Sequence, residues 1–301
     1  MLPAREAAAA LAEGATRAGV DCEQVPLADG GEGTAEALYG VLGGEWHAAA
    51  VHDPLGRAIE ARFLVLPDGR AVVESADPLG LWRLAPHELD PLRASSRGLG
   101  ELILAAGDRE LVVGIGGTAT VDGGAGLREV LDGLPRRTTV LCDVRSPLLD
   151  AARVFSAQKG ASPADALELE RRLTAMEQLR PYADLPGAGS AGGLGAAFAA
   201  LGAELVAGAE YVIEAVGLPE RLLGAAIAVT GEGEVDRTSA EGKVAGAVVR
   251  LCAEEGIRCA VFGGRVEEPL PDAESYELSG DPERAREDLV ALGERLARSV
   301  L

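Results

Sequence analysis

The stretch Leu111-Val112-Val113-Gly114-Ile115-Gly116-Gly117-Thr118-Ala119-Thr120-Val121-Asp122-Gly123-Gly124 indicates the fold class. It begins as an apolar strand, and a helix to about Leu131 is predicted after its glycines. A strand that ends in glycines and leads into a helix presents backbone N–H groups to an anion. We therefore predict a phosphate-binding loop. The alternative is a tight turn in which Asp122 caps the helix.

Predicted strands and helices alternate on both sides of this loop, and that alternation is typical of parallel sheets in α/β proteins. An antiparallel meander is predicted before the loop, because turn sequences separate three strand-like runs. The predicted strands are 22–27, 45–51, 58–66, 71–74, 111–113, 138–143, 226–230 and 258–262. The predicted helices are 4–18, 34–42, 95–106, 125–131, 163–179, 196–201, 243–255 and 283–299.

Composition excludes several classes of protein. The 301 residues suit two domains, and a formal charge of −20 disfavours binding to a polynucleotide. No apolar run is long enough to span a membrane and no signal peptide is visible, so we expect a cytoplasmic protein. The four cysteines and three histidines form no metal-binding pattern.

Two further loops resemble the first in composition. Asp29-Gly30-Gly31-Glu32-Gly33-Thr34 and Thr230-Gly231-Glu232-Gly233-Glu234-Val235-Asp236 each follow a predicted strand. Carboxylates among glycines at the carboxyl ends of strands suit a metal and phosphate site. One such loop would be a turn, but three in one chain indicate a shared polyanion or metal site.

The lysines are a separate signal. Lys159 and Lys243 are the only lysines among 28 basic residues, and both have small neighbours. A compact ammonium reaches a phosphate where a guanidinium does not fit, although ordinary surface lysines are the alternative. Gly242-Lys243 is not a P-loop, because Val244 replaces the Ser or Thr that would bind Mg²⁺.

The glycine loop also contains Gly114-x-Gly116-x-x-Ala119, the dinucleotide fingerprint of an NAD-dependent oxidoreductase. The acidic residue expected about 20 positions later is poorly matched. Asp132 falls in or just after a helix, and Asp143 comes late. This interpretation is the second choice.

At these places the sequence resembles the bacterial glycerate kinase family, in order and over nearly the whole chain. The matching segments are 27–34, 115–124, Cys142-Asp143-Val144 with Pro147-Leu148, Gln158-Lys159-Gly160-Ala161, 185–195, and 230–236 with Gly242-Lys243. The resemblance implies phosphorylation of D-glycerate with ATP and Mg²⁺. It also implies an α/β fold: a flavodoxin-like parallel-sheet domain from both chain ends, 1–44 and 220–301, and an inserted mixed α/β domain at 45–219. A homodimer is compatible with it.

Roles for individual residues follow as hypotheses, because phosphoryl transfer needs positioning and charge neutralisation. Asp122 and Asp236 would bind Mg²⁺ or act as the base, Asp143 would be a second metal ligand, and Lys159 and Lys243 would neutralise phosphate oxygens. The expected cofactor-binding residues are Gly116, Gly117, Thr118, Gly123, Gly124, Gly231, Glu232 and Gly233. The expected substrate-binding residues are Asp29, Gly30, Gly31, Glu32 and Arg93.

The start of the chain departs from the family pattern, in which a strand and a lysine-containing loop come first. The stretch between Leu127 and Thr138 is also shorter than in the family, and Val121 stands where the family tends to carry Asn. We expect a shortened or degenerate chain with an unpaired sheet edge beside the helix at 4–18. A catalytically impaired, kinase-derived binding protein is therefore a third interpretation.

Overall fold

The computed structural model describes residues 2–240 and 243–301, and these form two compact units. One unit combines the residues up to Ala28 with Val212–Leu301, and the other comprises Asp29–Tyr211. The α/β class with a parallel sheet from the chain ends is as predicted. Residues 29–44, which the sequence analysis assigned to the chain ends, belong to the second unit because Gly30 packs on Leu141 of its sheet.

The elements follow one another as α/β structure requires. The helices are α1 Ala4–Arg17, α2 Thr34–Leu42, α3 Ala76–Leu79, α4 Arg97–Ala106, α5 Ala125–Val130, α6 Asp150–Arg153, α7 Pro163–Ala175, α8 Ser190–Ala200, α9 Gly208–Ala215, α10 Leu218–Leu222, α11 Val244–Glu255 and α12 Ala285–Arg298. The strands are β1 Glu45–His52, β2 Ala58–Val65, β3 Ala71–Glu74, β4 Leu111–Ile115, β5 Thr138–Cys142, β6 Glu204–Ala207, β7 Ala228–Val235, β8 Cys259–Val266 and β9 Glu274–Glu277. Short 3₁₀ helices occupy Leu81–Arg83, Pro86–Glu88, Ala157–Lys159, Glu177–Tyr182 and Arg237–Ala240.

The sheet of the second unit has six strands in the order β1-β2-β3-β4-β5-β6. β1, β2 and β3 are antiparallel neighbours, as the turn sequences predicted, and β3 to β6 run parallel. All five residues of β4 are buried, because helices cover both faces of a parallel sheet. The carboxyl ends of β3, β4 and β5 therefore lie side by side at one edge.

The unit of the chain ends has a parallel sheet in the order β7-β8-β9. In this unit α1 packs on α12 through Gly14 and Gly293: a methyl group on Gly293 would come within 2.2 Å of the Leu11 carbonyl oxygen. Only glycines allow so close a contact between two helix backbones.

The strand predicted at 22–27 is wrong, because this segment has no regular structure and borders a cavity of about 730 Å³ beside β7. Among the described residues, β7 pairs with β8 alone, so an open sheet edge is present at β7 rather than at 22–27. Within that same part of the chain, none of the helices combines the length and the apolar character that crossing a bilayer requires.

The Gly/Ala-rich segment 185–195, whose composition is also compatible with a linker, packs within the sheet unit of residues 29–211. Ala191, Gly192 and Gly193 adopt left-handed conformations at the start of α8, and most of the segment is buried. A methyl group on Gly192 would lie 1.9 Å from the Thr120 carbonyl oxygen. The segment is glycine-rich because it packs directly on the backbone that follows β4.

Candidate active site

Gly30 and Gly114 let the loop at 29–33 cross the carboxyl ends of β4 and β5 with the backbones in direct contact. A Cβ atom on Gly30 would lie 2.8 Å from the Leu141 Cβ and 2.9 Å from the Gly208 Cα. A Cβ atom on Gly114 would lie 2.8 Å from the Gly30 carbonyl oxygen. The predicted loop at 29–34 therefore meets the start of the glycine loop after β4, because glycine is the only residue that these contacts admit.

Asp143 follows β5 directly and points toward this loop. Its Oδ2 lies 2.9 Å from the position that a Cβ atom of Gly116 would take, and 4.0 Å from that of Gly31. Burial, together with the nearby charge of Asp29, raises the pKa of Asp143 to about 6. Asp143 is thus a carboxyl group whose ionisation changes close to neutral pH.

Glu32 and Asp29 complete the acidic side of this cluster. The Glu32 Oε2 lies 3.6 Å from the position of a Cβ atom on Gly117, and Asp29 accepts the Gly31 N–H at 3.2 Å. Their carboxylates can accept hydrogen bonds from the hydroxyl groups of a small substrate.

Lys159 is the cation of the cluster and is 3% exposed. Its Nζ donates to the Thr120 carbonyl oxygen at 2.8 Å and to the Thr118 Oγ1 at 3.3 Å. Burial lowers the pKa of Lys159 to about 8, while Asp143 and Asp122 oppose that shift. A buried ammonium held by two neutral oxygens can take an anion as its third partner.

The backbone beside Lys159 offers two more donors. The Gly116 N–H donates to the Ser75 Oγ and the Ala119 N–H to the Leu79 carbonyl oxygen. Among residues 2–240 and 243–301, the N–H groups of Gly117 and Thr118 have no acceptor. Of positions 116–118 in the predicted phosphate cradle, 117 and 118 thus keep N–H groups that an anion could use. The Thr120 Oγ1, which is buried and without a hydrogen bond among those residues, lies in the same loop.

Asp122, expected to bind metal or act as the base, accepts hydrogen bonds from neighbouring residues with both of its carboxylate oxygens. Its Oδ2 accepts the Ser96 N–H, the Ser96 hydroxyl and the Gly126 N–H at 2.7–3.0 Å, and its Oδ1 accepts the Gly124 N–H at 3.1 Å. These bonds join the starts of α4 and α5. The geometry favours the helix-capping alternative that the sequence left open.

Gly123 and Gly124, expected in the phosphate cradle, face the core instead. A Cβ atom on Gly123 would lie 2.6 Å from the Met176 sulfur, and one on Gly124 would lie 2.4 Å from the Ala197 Cβ. Both have positive φ angles. Glycine is needed at both positions because the packing is close and because the backbone is left-handed where α5 starts.

Arg93, expected to bind the substrate, is an exposed residue. Its side chain is 78% exposed and pairs with Asp90 at 4.0 Å. Among the described residues, no hydrogen bond or ion pair joins Arg93 to the loop at 29–33. Its exposure leaves it without the desolvated setting that makes an ionic contact to a small acid strong.

A second cluster lies in the unit of the chain ends. Gly231, Glu232 and Gly233 are part of β7, which runs five residues beyond its predicted end, and a Cβ atom on Gly231 would strike Phe262. Lys243 precedes α11, and its Nζ lies 3.3 Å from the Glu232 Oε2 and 3.9 Å from the Asp236 Oδ1. Gly242 lies outside the described residues.

This second cluster has the chemistry of a cation and phosphate site. Glu232 Oε1 is buried and has no hydrogen-bond partner among the described residues. Among the same residues, no group of three or more His, Cys, Asp or Glu side chains could hold a metal ion. Mg²⁺ needs only one or two carboxylates when phosphate oxygens and water complete its shell, so Glu232 and Asp236 fit it.

The dinucleotide fingerprint does not form the turn that it requires. Gly114 lies inside β4 and packs on Gly30, while α5 begins only at Ala125. The pyrophosphate of a dinucleotide needs a helix that begins within the fingerprint itself. The structure gives no support to the oxidoreductase interpretation.

We expect Asp122→Ala to destabilise the protein by about 2–4 kcal/mol, because several buried donors lose their acceptor. Asp122→Asn should cost less, since one oxygen remains. Urea denaturation of both variants measures the difference. An Asp122→Ala protein that is as stable as the wild type and yet inactive would place Asp122 in the chemistry instead.

Comparison with known proteins gives one consistent result. The profile of the glycerate kinase family matches residues 1–134 and 132–280. A glycerate 2-kinase of Escherichia coli K12 is 38% identical over 291 residues, which cover 81% of this chain and 76% of that protein. A glycerate kinase of Bacillus subtilis 168 is 36% identical over 80% of this chain and 76% of its own length. The crystal structure of a protein described as glycerate kinase 2 from Salmonella typhimurium LT2 superposes with a TM-score of 0.84 at 31% identity, covering 99% of this chain and 94% of that one. The chain belongs to the glycerate kinase family.

Proposed function

We propose that this protein transfers the γ-phosphoryl group of ATP to a hydroxyl group of D-glycerate. Membership of the glycerate kinase family supports phosphoryl transfer with ATP as the donor. The observation that carries the proposal is the buried Lys159, which is influenced by the charge of Asp143 and bonded to Thr118, in a loop where the N–H groups of Gly117 and Thr118 have no acceptor among the described residues. We also infer a cytoplasmic location, where ATP is available.

Lys159 and the backbone at 117–118 would bind the phosphoryl group during transfer. Charge spreads over its oxygens in the transition state, so donors fixed in advance stabilise that state more than the substrate. The ammonium is already oriented by Thr118 and Thr120. It needs little reorganisation when the phosphoryl group arrives.

The loop at 29–33 would bind D-glycerate, and Asp143 would accept the proton of the attacking hydroxyl. Asp29 and Glu32 supply hydrogen-bond acceptors for hydroxyl groups next to Asp143. A general base works best when its pKa is near the working pH, and burial has moved the pKa of Asp143 in that direction. Asp143 and Asp29 could alternatively share a cation, because their like charges would be relieved by it.

Glu232, Asp236 and Lys243 would bind the nucleotide's phosphates and Mg²⁺. Bound there, Mg²⁺ would neutralise phosphate oxygens. Ser239 donates its N–H to the Asp236 Oδ1 at 3.1 Å and so fixes the orientation of that carboxylate. Lys243 would pair with phosphate as a point charge in place of its present carboxylate partners.

A coupled assay with ATP, Mg²⁺ and D-glycerate, followed by NMR of the product, tests the function and identifies the hydroxyl that is phosphorylated. Asp236→Asn should lower turnover about 100-fold or more, because a charge that binds the metal is lost. Glu234→Gln is the matched control, since Glu234 lies only two residues earlier, in β7, but is 52% exposed and pairs with Arg265. Absence of turnover in a folded wild-type protein that binds ATP would favour a kinase-derived binding protein. Equal turnover in both variants would remove Asp236 from the site.

The pH dependence of kcat/KM for D-glycerate should be bell-shaped. Activity should rise through about pH 6 as Asp143 loses its proton, and fall through about pH 8 as Lys159 loses its charge. Initial rates in buffers of constant ionic strength between pH 5 and pH 9 measure both limbs. Asp143→Asn should remove the acidic limb from whatever activity remains. A wild-type profile that is flat over this range would contradict both assignments.

A further inference from the structure

Glu74 is a partly buried carboxylate to which the mechanism above gives no role. It ends β3, next to the start of α2. Its Oε1 accepts the Ala35 N–H at 2.7 Å, and the Gly33 N–H lies close enough to lower the pKa of the same carboxylate. A side chain of the sheet therefore binds a backbone donor in the first turn of a helix that is distant in sequence.

The residue before α2 has no side chain that could cap the helix, and so the acceptor comes from the sheet. The residue that precedes the helix is Gly33, which has a φ angle of 91° and no side chain that could accept a hydrogen bond. Helices leave their first N–H groups without partners inside the helix, and a Ser, Thr or Asp side chain usually satisfies one of them. Here the acceptor is the side chain of Glu74, which lies outside the helix, in β3.

The segment that Glu74 fixes is the loop at 29–33. One end of this loop is held where Gly30 packs on Leu141 and Gly208. Its other end is held by the bond between Thr34 Oγ1 and the Gly31 carbonyl oxygen at 2.8 Å, and by Glu74. Glu32 lies between these two anchors, and Asp29 adjoins the first of them.

The carboxylate of Glu74 is held at an energetic cost. Burial raises the pKa of Glu74 to about 7; the Ala35 and Gly33 N–H groups oppose this shift, and the charges of Asp77 and Glu32 contribute to it. Asp77 is itself paired with Arg83 at 2.8 Å and with Arg62 at 3.8 Å, so neither arginine is free to neutralise Glu74. An apolar residue would avoid this cost but would release the loop.

We propose that Glu74 is a positioning residue that orients the 29–33 loop, and through it Asp29 and Glu32, for binding of the acceptor substrate. The inference rests on the proposed function, in which this loop binds D-glycerate. Glu74 itself does not contact the reacting atoms. It acts by fixing the backbone from which the substrate-binding side chains project.

Steady-state kinetics of Glu74→Ala and Glu74→Gln test this role. Glu74→Ala should raise KM for D-glycerate about 10-fold or more and leave KM for ATP within about two-fold, because small misplacements of positioning groups are costly. Glu74→Gln keeps one acceptor oxygen and should fall between Glu74→Ala and the wild type. Glu36→Gln is the matched control, since Glu36 lies in the first turn of the same helix but is 51% exposed and pairs with Arg62. Unchanged constants in Glu74→Ala, or an equal rise of both KM values, would overturn the proposal.

Amide hydrogen exchange gives a readout that does not depend on activity. Exchange at the amides of residues 33 and 35 should be faster in Glu74→Ala than in the wild type, and unchanged in Glu36→Gln. If the wild type does not phosphorylate D-glycerate, the proposed function fails while exchange still tests the positioning. If exchange at these amides is unchanged in Glu74→Ala, the positioning role fails whatever the activity.

Discussion

The close approach of backbones at the carboxyl ends of β4 and β5 is the constraint on which the site depends. Gly30, Gly114 and Gly116 each lie where a Cβ atom would come within 3 Å of a neighbouring atom. Their glycines bring the loop at 29–33 against the strand ends, and Asp143 follows the strand on which that loop packs. Without these contacts Asp29 and Glu32 would have no fixed relation to Lys159 or to the loop at 117–118.

The burial of charged groups at the site, and their pKa shifts, follow from this packing. The chain carries a formal charge of −20, yet at this edge of the sheet it buries a lysine beside carboxylates. Burial shifts the pKa values of Asp143 and Lys159 toward neutrality from opposite sides. A carboxyl group and an ammonium group tuned in this way are typical of functional sites, because burial of charge is otherwise avoided.

Much of this site could be predicted from the sequence because its signals are local. Glycines after an apolar strand identified the loop at 114–118, and the rarity of lysine directed attention to Lys159. Asp122, Gly123 and Gly124 share the same local pattern, but their neighbours Ser96, Met176 and Ala197 come from distant segments, so their packing roles were not visible. The strand predicted at 22–27 was wrong although the edge of β7 is open in the part of the chain that the structure describes: the segment is half polar, and Pro26 has no N–H group to give to a sheet. Glu74 was missed since its partners in α2 lie some 40 positions away, although an acidic residue ending an otherwise apolar strand was a signal.

The most direct test of the account is kcat/KM for D-glycerate in Gly116→Ala. The added methyl group would lie 2.9 Å from the Asp143 Oδ2 and 3.0 Å from the Gly31 Cα, so it must displace the carboxylate or the loop. Gly133→Ala is the control, because the same group there would meet no atom within 4 Å. We predict a loss of about 100-fold in Gly116→Ala, with cooperative unfolding retained, and none in Gly133→Ala. A folded Gly116→Ala protein with wild-type kcat/KM would contradict the central claim that this backbone contact builds the site.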